Sequence, residues 1–286
     1  MKIKNKIISD NSPIYVIAEI GINHNGSVSK AMKMIDYAIE SGCSAVKFQT
    51  FYLDEMLLKD TRLAEYQKKT GFQNMTDLLK KYNLSYESFK VIKKYCDKKK
   101  IVFFSTPFDE NSVDFLAKIG VKLFKIASFD VSNLKLINQI TKHKKPTIIS
   151  TGMASMKEIK KTNNIFKNKK IPYSFLHCIS SYPNLERNSY LSNILDLKKK
   201  LNCSIGFSDH TNDIKTSIYS YILGAKIIEK HFYLGKGHNC VDKPVSIDPD
   251  QMKKLKNELL NINVIMGKVK YGIRKEEKKA VRFKRK

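Results

Sequence analysis

Arginine is scarce in this chain: of its 53 basic residues only five are arginine, and the rest are lysine. Base-edge and bidentate phosphate recognition draw on the planar guanidinium fork. The shortage therefore argues against nucleic acid as the main partner, even at a net charge of +26. The lysines are also spread along the chain, often in helical stretches such as VIKKYCDKKK at residues 91–100. A field of this sign still attracts a phosphorylated or carboxylated substrate. Cysteine is scarce too. Cys43, Cys96, Cys178, Cys203 and Cys240 are odd in number and form no CxxC, which speaks against a disulfide framework or a cysteine zinc site. They read as small buried apolar residues of a protein in a reducing cytoplasm. Long apolar runs are missing: none approaches the ~18 residues needed to span a bilayer. The start, MKIKNKIISDNSPIYVIAEIG, has no unbroken apolar core, so neither a signal peptide nor a membrane partner is expected.

What the chain does have is eight short runs rich in β-branched and aromatic residues. They are YVIAEI, SAVKFQT, IVFFSTP, VKLFKIAS, PTIIST, YSFLHC, CSIGFSDH and AKIIEKHF, starting at residues 15, 44, 101, 121, 146, 173, 203 and 225. Segments of helical periodicity follow each run. SVSKAMKMIDYAIESG, for example, opens on a serine cap and closes on glycine. Strand–helix alternation repeated eight times predicts a parallel sheet closed into a (β/α)8 TIM barrel. The barrel is expected over residues 1–270, with 271–286 a basic tail or truncated linker. Segment 51–84 is long for a strand-to-helix connection and suggests a lid or substrate wall.

The runs end alike, in polar and chemically capable residues. In a β/α barrel all strand C-termini meet on one face, so these residues predict a shared site. Lys47 and Gln49 are two apart on one strand and share a face. Lys47 and Lys125, with the hydroxyls of Ser105, Thr106, Ser128, Ser150 and Ser208, suit a small ligand carrying phosphate and carboxylate groups. Two other roles stay open for the lysines: simple pairing with a carboxylate, or Schiff-base catalysis by a buried amine. His210 and His231 end the seventh and eighth strands, which are neighbours in a barrel. Two imidazoles there suit an open divalent site, Mn²⁺ or Mg²⁺, better than closed zinc. His24 is a weaker candidate, and His143 and His238 read as surface or loop residues. Glu19 suits sugar hydroxyls or proton transfer. Asp242 reads as a residue of the mouth or of a turn.

The motifs IAEIGINHNGS, VKFQTF, FSTPFD, FKIAS, ISTGM, HCISSYP, GFSDHT and EKHF, in order between about residues 13 and 270, resemble the sialic acid synthase (N-acetylneuraminate synthase) family, which includes legionaminate and pseudaminate synthases. The resemblance implies condensation of phosphoenolpyruvate with an N-acylated hexosamine-type sugar, giving a nine-carbon 2-keto acid and phosphate. It assigns Lys47, Gln49, Thr106, Lys125, Ser128, Ser150 and Ser208 to phosphoenolpyruvate. His210 and His231 fall to the metal, and Glu19, Asn74, Tyr182 and Asp242 to the sugar; Asn74 rests on the resemblance alone. Catalysis would fall to Glu19, His210 and His231. The family usually continues into a C-terminal antifreeze-like domain that reaches across a homodimer, and this chain stops at Lys286. A ligand-binding barrel without turnover and a lysine Schiff-base aldolase are the alternative functions.

Overall fold

The computed structural model describes residues 1–52, 63, 65–68 and 71–285. Eight parallel strands form the centre: β1 Tyr15–Gly21, β2 Ala45–Thr50, β3 Val102–Pro107, β4 Phe124–Ile126, β5 Thr147–Ser150, β6 Tyr173–Cys178, β7 Ser204–Asp209 and β8 Ile227–Phe232. Their ladders run in the order β3–β2–β1–β8–β7–β6–β5–β4. The two end strands, β3 and β4, lie side by side and bring the sheet round into a nearly closed barrel. A helix packs after each strand before the next begins, or closes the barrel after the last; the connection after β2 carries additional helical segments at Glu65–Lys68 and Met75–Tyr82 before its barrel helix. The barrel helices are α1 Val28–Glu40, α2 Tyr86–Lys98, α3 Glu110–Lys118, α4 Leu134–Lys142, α5 Met156–Asn168, α6 Ser192–Lys200, α7 Lys215–Ile222 and α8 Pro249–Met266. The expected (β/α)8 architecture is the one observed.

Local chemistry explains the helix starts. Ser27, Asn133 and Asp109 accept from backbone N–H groups of the first turns of α1, α4 and α3. Ser155 with Glu158 and Asp248 with Gln251 form reciprocal capping boxes on α5 and α8. The helices bury one face each against outward-pointing strand residues such as Val16, Val46, Phe103, Phe175 and Phe207. Alternate strand residues point to the barrel axis instead. At the N-terminal end these are apolar: Tyr15, Ile17, Val102, Phe104, Ile148 and Leu176. A hairpin pairing Lys2–Ile3 with Lys6–Ile7 closes that end, and Ile3 and Ile8 pack into it. Space inside is tight: a Cβ on Gly206 of β7 would lie 2.5 Å from both the Ile227 carbonyl oxygen and Leu176 Cδ2.

Part of segment 51–84 is described. It contains a helix at Met75–Tyr82, whose Leu78 and Leu79 form a small separate core with Ile22, Phe51, Leu63 and Val241. Residues 53–62, 64 and 69–70 lie outside the described set. Beyond α8, Lys275–Phe283 forms a 3-10 helix with no buried residue. Among the described residues no helix is long and apolar enough to cross a membrane.

Candidate active site

A cavity of about 400 Å³ opens at the C-terminal mouth of the barrel. Every strand contributes to it: Glu19 from β1, Lys47 and Gln49 from β2, Thr106 from β3, Lys125 from β4, Ser150 from β5, Cys178 from β6, Ser208 from β7, and Glu229 and His231 from β8. Ser128, Tyr182, His210 and Asp242 line it from the loops, and Gln67, Met75 and Leu79 of segment 51–84 form one wall. The inward positions thus change from apolar at the bottom to ionisable at the top, where the strands end.

Glu229 is the centre of a buried ion network. Its carboxylate lies 3.6 Å from Lys47 Nζ and 3.5 Å from Lys125 Nζ, and it accepts from Ser208 Oγ at 2.9 Å. Lys47 Nζ also lies 2.9 Å from Glu19 and donates to Thr106 Oγ1 at 3.0 Å. Lys125 Nζ donates to Ser150 Oγ at 2.7 Å. The four charged groups respond differently to burial. For Lys47 burial opposes the charge, but Glu19 and Glu229 outweigh it and hold the ammonium above its usual pKa. Burial pulls Lys125 below its usual value, and Glu229 only partly offsets this. For Glu229 burial is outweighed by the two lysines, which hold its carboxyl low. For Glu19 burial wins over Lys47, with Glu229 adding repulsion, and its pKa is pushed up to about 7. One Glu19 oxygen, Oε1, has no hydrogen-bond partner among the described residues. A β-bulge between Glu19 and Gly21 aims this carboxylate, and Gly21, at φ +52°, leaves the space beside it open.

The two histidines meet across β7 and β8, with ring centroids 5.6 Å apart. His210 Nδ1 lies 2.8 Å from the Ile179 carbonyl oxygen. A carbonyl only accepts, so Nδ1 carries a proton, and whenever the ring is neutral Nε2 is left bare. Burial opposes a charge on this ring, but the neighbouring Cys178 outweighs it and raises the imidazole above its usual pKa. His231 is held well below the usual imidazole pKa by burial, with His210 and Lys47 adding to the effect, and stays neutral. Its Nδ1 has no hydrogen-bond partner among the described residues, and Asp242 Oδ2 lies 3.6 Å away. Two imidazoles side by side, with His231 Nδ1 unpartnered among the described residues, are the groups here that could hold a divalent cation. Among the described residues no group of three or more His, Cys, Asp or Glu side chains forms a ready cage. Tyr182 packs on His210 at a centroid distance of 4.1 Å.

Not every candidate reaches the cavity. Ser105 faces away from the axis and bonds Thr50 at 2.7 Å, because it alternates with Thr106 on β3. Asn74 caps the Met75–Tyr82 helix, its Oδ1 accepting from Asp77 N at 2.9 Å, and does not line the cavity. His24 is buried, accepts from Gly26 N, and is pushed down to about 3 by burial. His238 lies in the loop after β8, as expected for one of the two readings, but it is buried, and its Nδ1 accepts from Leu234 N at 3.1 Å. His143 is partly exposed and pairs with Asp114 at 2.9 Å.

Three residues carry more of the site than the sequence suggested. Glu229 had no assigned role, although it lies two positions before His231 and so shares its face. Cys178, read as a bland core residue, lines the cavity, its Sγ 3.8 Å from His210 Nδ1. Asn23, buried in the loop after β1, donates to Phe232 O and Ser246 Oγ, each at 3.0 Å. It also accepts from Asp242 N at 3.1 Å, which fixes the loop that carries Asp242.

Residues 34–271 match the NeuB family. The N,N'-diacetyllegionaminic acid synthase of Campylobacter jejuni is 37% identical over 268 residues, 92% of this chain and 79% of that protein. The N-acetylneuraminate-9-phosphate synthase of Drosophila melanogaster is 32% identical, over 91% of this chain and 71% of that protein. A crystal structure of the N-acetylneuraminic acid (sialic acid) synthetase from Leptospira borgpetersenii in complex with citrate superposes with a TM-score of 0.88 at 34% identity, covering 99% of this chain and 95% of that one. Family match, relatives and barrel agree, and the chain is a member of the NeuB family of sialic-acid-type synthases.

Proposed function

We propose that this barrel condenses phosphoenolpyruvate with an N-acylated hexosamine-type aldehyde to give a nine-carbon 2-keto sugar acid and phosphate. The observation that carries the reading is the pairing of two buried ammonium groups, Lys47 and Lys125, on either side of Glu229 beside the His210–His231 pair. A small anion with separate phosphate and carboxylate groups needs two cationic anchors a few ångströms apart. Lys47, Gln49 and Thr106 lie on one side of the cavity, and Lys125, Ser128, Ser150 and Ser208 extend the binding surface across it. They hold the enol ester in one orientation while C3 attacks the aldehyde carbon, and water then adds at C2. The tetrahedral carbon expels phosphate by breaking the C–O bond. Glu19, poised near neutrality, takes the proton of that water. Asp242 and Tyr182 face the sugar. His210 and His231 would hold Mn²⁺ or Mg²⁺, and such a cation supplies Lewis-acid polarisation of the aldehyde.

Phosphate release, assayed with phosphoenolpyruvate, Mn²⁺ and a panel of N-acyl sugars, tests the reading. Release that requires both the sugar and the cation is expected; none with any sugar would overturn it. The lowered ammonium of Lys125 favours a second reading, a Schiff-base aldolase. Borohydride reduction in the presence of pyruvate discriminates, since only the aldolase leaves a covalent adduct on the lysine.

A further inference from the structure

Residues 208–210 of β7 and its end, and 229–231 of β8, form three successive cross-strand pairs that alternate in direction. Ser208 pairs with Glu229 inside the barrel, and Asp209 pairs with Lys230 outside it. His210 and His231 then meet at the mouth. The outer pair is unusual for its surroundings. Both side chains are completely buried in the layer between barrel and helices, with Lys230 Nζ 3.3 Å from Asp209 Oδ1. Apolar residues of similar volume would fill this layer with no loss of stability, so burial of an ion pair needs another reason.

The other bonds of the pair supply that reason. The Asp209 carboxylate accepts from Thr211 N at 2.9 Å and from Thr211 Oγ1 at 2.8 Å. It also accepts from Thr216 Oγ1 at 2.8 Å and from Ser217 Oγ, both in the first turn of α7. That helix has no side-chain cap of its own. Lys230 Nζ donates to the Thr211 carbonyl. Thr211 is therefore gripped at its N–H, its C=O and its hydroxyl, and it directly follows His210. The ring of His210 is held in addition by the Ile179 carbonyl at 2.8 Å, with Cys178 Sγ and the Tyr182 ring packed against it.

We propose that Asp209 and Lys230 are positioning residues, a clamp on the outer barrel wall that fixes the backbone on both sides of the imidazole pair. The clamp holds His210 in the Nδ1–H tautomer, with Nε2 directed at the site and His231 alongside. The inference rests on the cation reading given above for its consequence, not for its geometry.

The test uses the full chain carrying D209L together with K230M, which replaces the pair by apolar side chains and leaves no buried charge alone. Histidine side-chain ¹H–¹⁵N spectra of the metal-free protein read the tautomer directly. The wild type should show one Nδ1–H species for His210, and the double variant a mixture. Mn²⁺ affinity should fall by about 10–100-fold, while phosphoenolpyruvate binding without added metal should stay within about twofold, since Lys47 and Lys125 are untouched. A single unchanged His210 tautomer with unchanged Mn²⁺ affinity would overturn the clamp. If the double variant does not fold, T211A carries the same test, because it removes the hydroxyl that links both halves of the pair to the residue after His210. A wild type that shows the fixed tautomer yet binds no Mn²⁺ would leave the clamp standing and remove the cation reading.

Discussion

At Glu19 burial and the Lys47 ammonium pull in opposite directions, and burial wins, leaving the carboxyl near pH 7 instead of its ordinary 4.5. Ionising it in the folded state therefore costs free energy. Its contribution to stability is intact below about pH 4.5 and is lost as the pH rises through about 7. For catalysis the sign is the reverse, because a base must be ionised. Phosphate release by the wild type should rise with pH through about 7 and level off above it. Glu19→Gln should flatten that limb and lower the rate by roughly 10²–10⁴-fold, read from steady-state assays across pH. A second prediction concerns Lys125. Lys125→Met removes one of the two ammonium groups beside Glu229. Phosphoenolpyruvate binding should weaken by roughly 10–100-fold, as expected for loss of a charged hydrogen bond of ~1.5–3 kcal/mol, measured by titration calorimetry. Undiminished binding would remove this lysine from the anion site.

At the scale of elements, strand alternation puts chemistry and structure on opposite sides of one wall. Thr106 reaches the cavity while Ser105, its neighbour, bonds Thr50 behind it. The same alternation places Glu229 and His231 inside and Lys230 outside. Gly206 belongs to this logic too, since it faces the crowded axis between Leu176 and the backbone of Ile227. Gly206→Ala forces a Cβ against the Ile227 carbonyl oxygen, which as backbone cannot move aside even if the Leu176 side chain shifts. It should destabilise the fold by ~1–3 kcal/mol or more, seen as a lower midpoint in thermal or urea unfolding. An unchanged midpoint would mean that β7 and β8 can separate without cost. The long connection after β2 is a folded element where it is described: its Met75–Tyr82 helix walls the cavity, and Asn74 serves as its cap.

For the molecule as a whole, the net charge of +26 is far more than the site itself requires. Lysines stand in the last turns of α2, α4 and α5, one each, and of α6, which has three, where cations favour the helix dipole. Because each helix runs antiparallel to its strand, these lysines lie on the end opposite the cavity. The field still extends over a Debye length of about 8 Å at physiological salt and further when salt is low. The kcat/KM for phosphoenolpyruvate should therefore fall at least about threefold between roughly 20 and 500 mM monovalent salt, with kcat much less affected. A flat profile would show that only the buried lysines matter to capture.

The sequence by itself determined the eight strands, the helices between them and the polar character of the strand ends, because each is a matter of local periodicity and capping. That is why Glu19, Lys47, Gln49, Thr106, Lys125, Ser150, Ser208 and His231 were legible as one rim. Tertiary structure alone decided the partners. Glu229 lies between two lysines from β2 and β4, Asp209 meets Lys230 behind the histidines, and Cys178 lies against His210. Asn74, placed by resemblance, is held at a helix start outside the cavity. The physical reason is that cross-strand register and loop docking are fixed only when the sheet curls round and the buried charges must find one another.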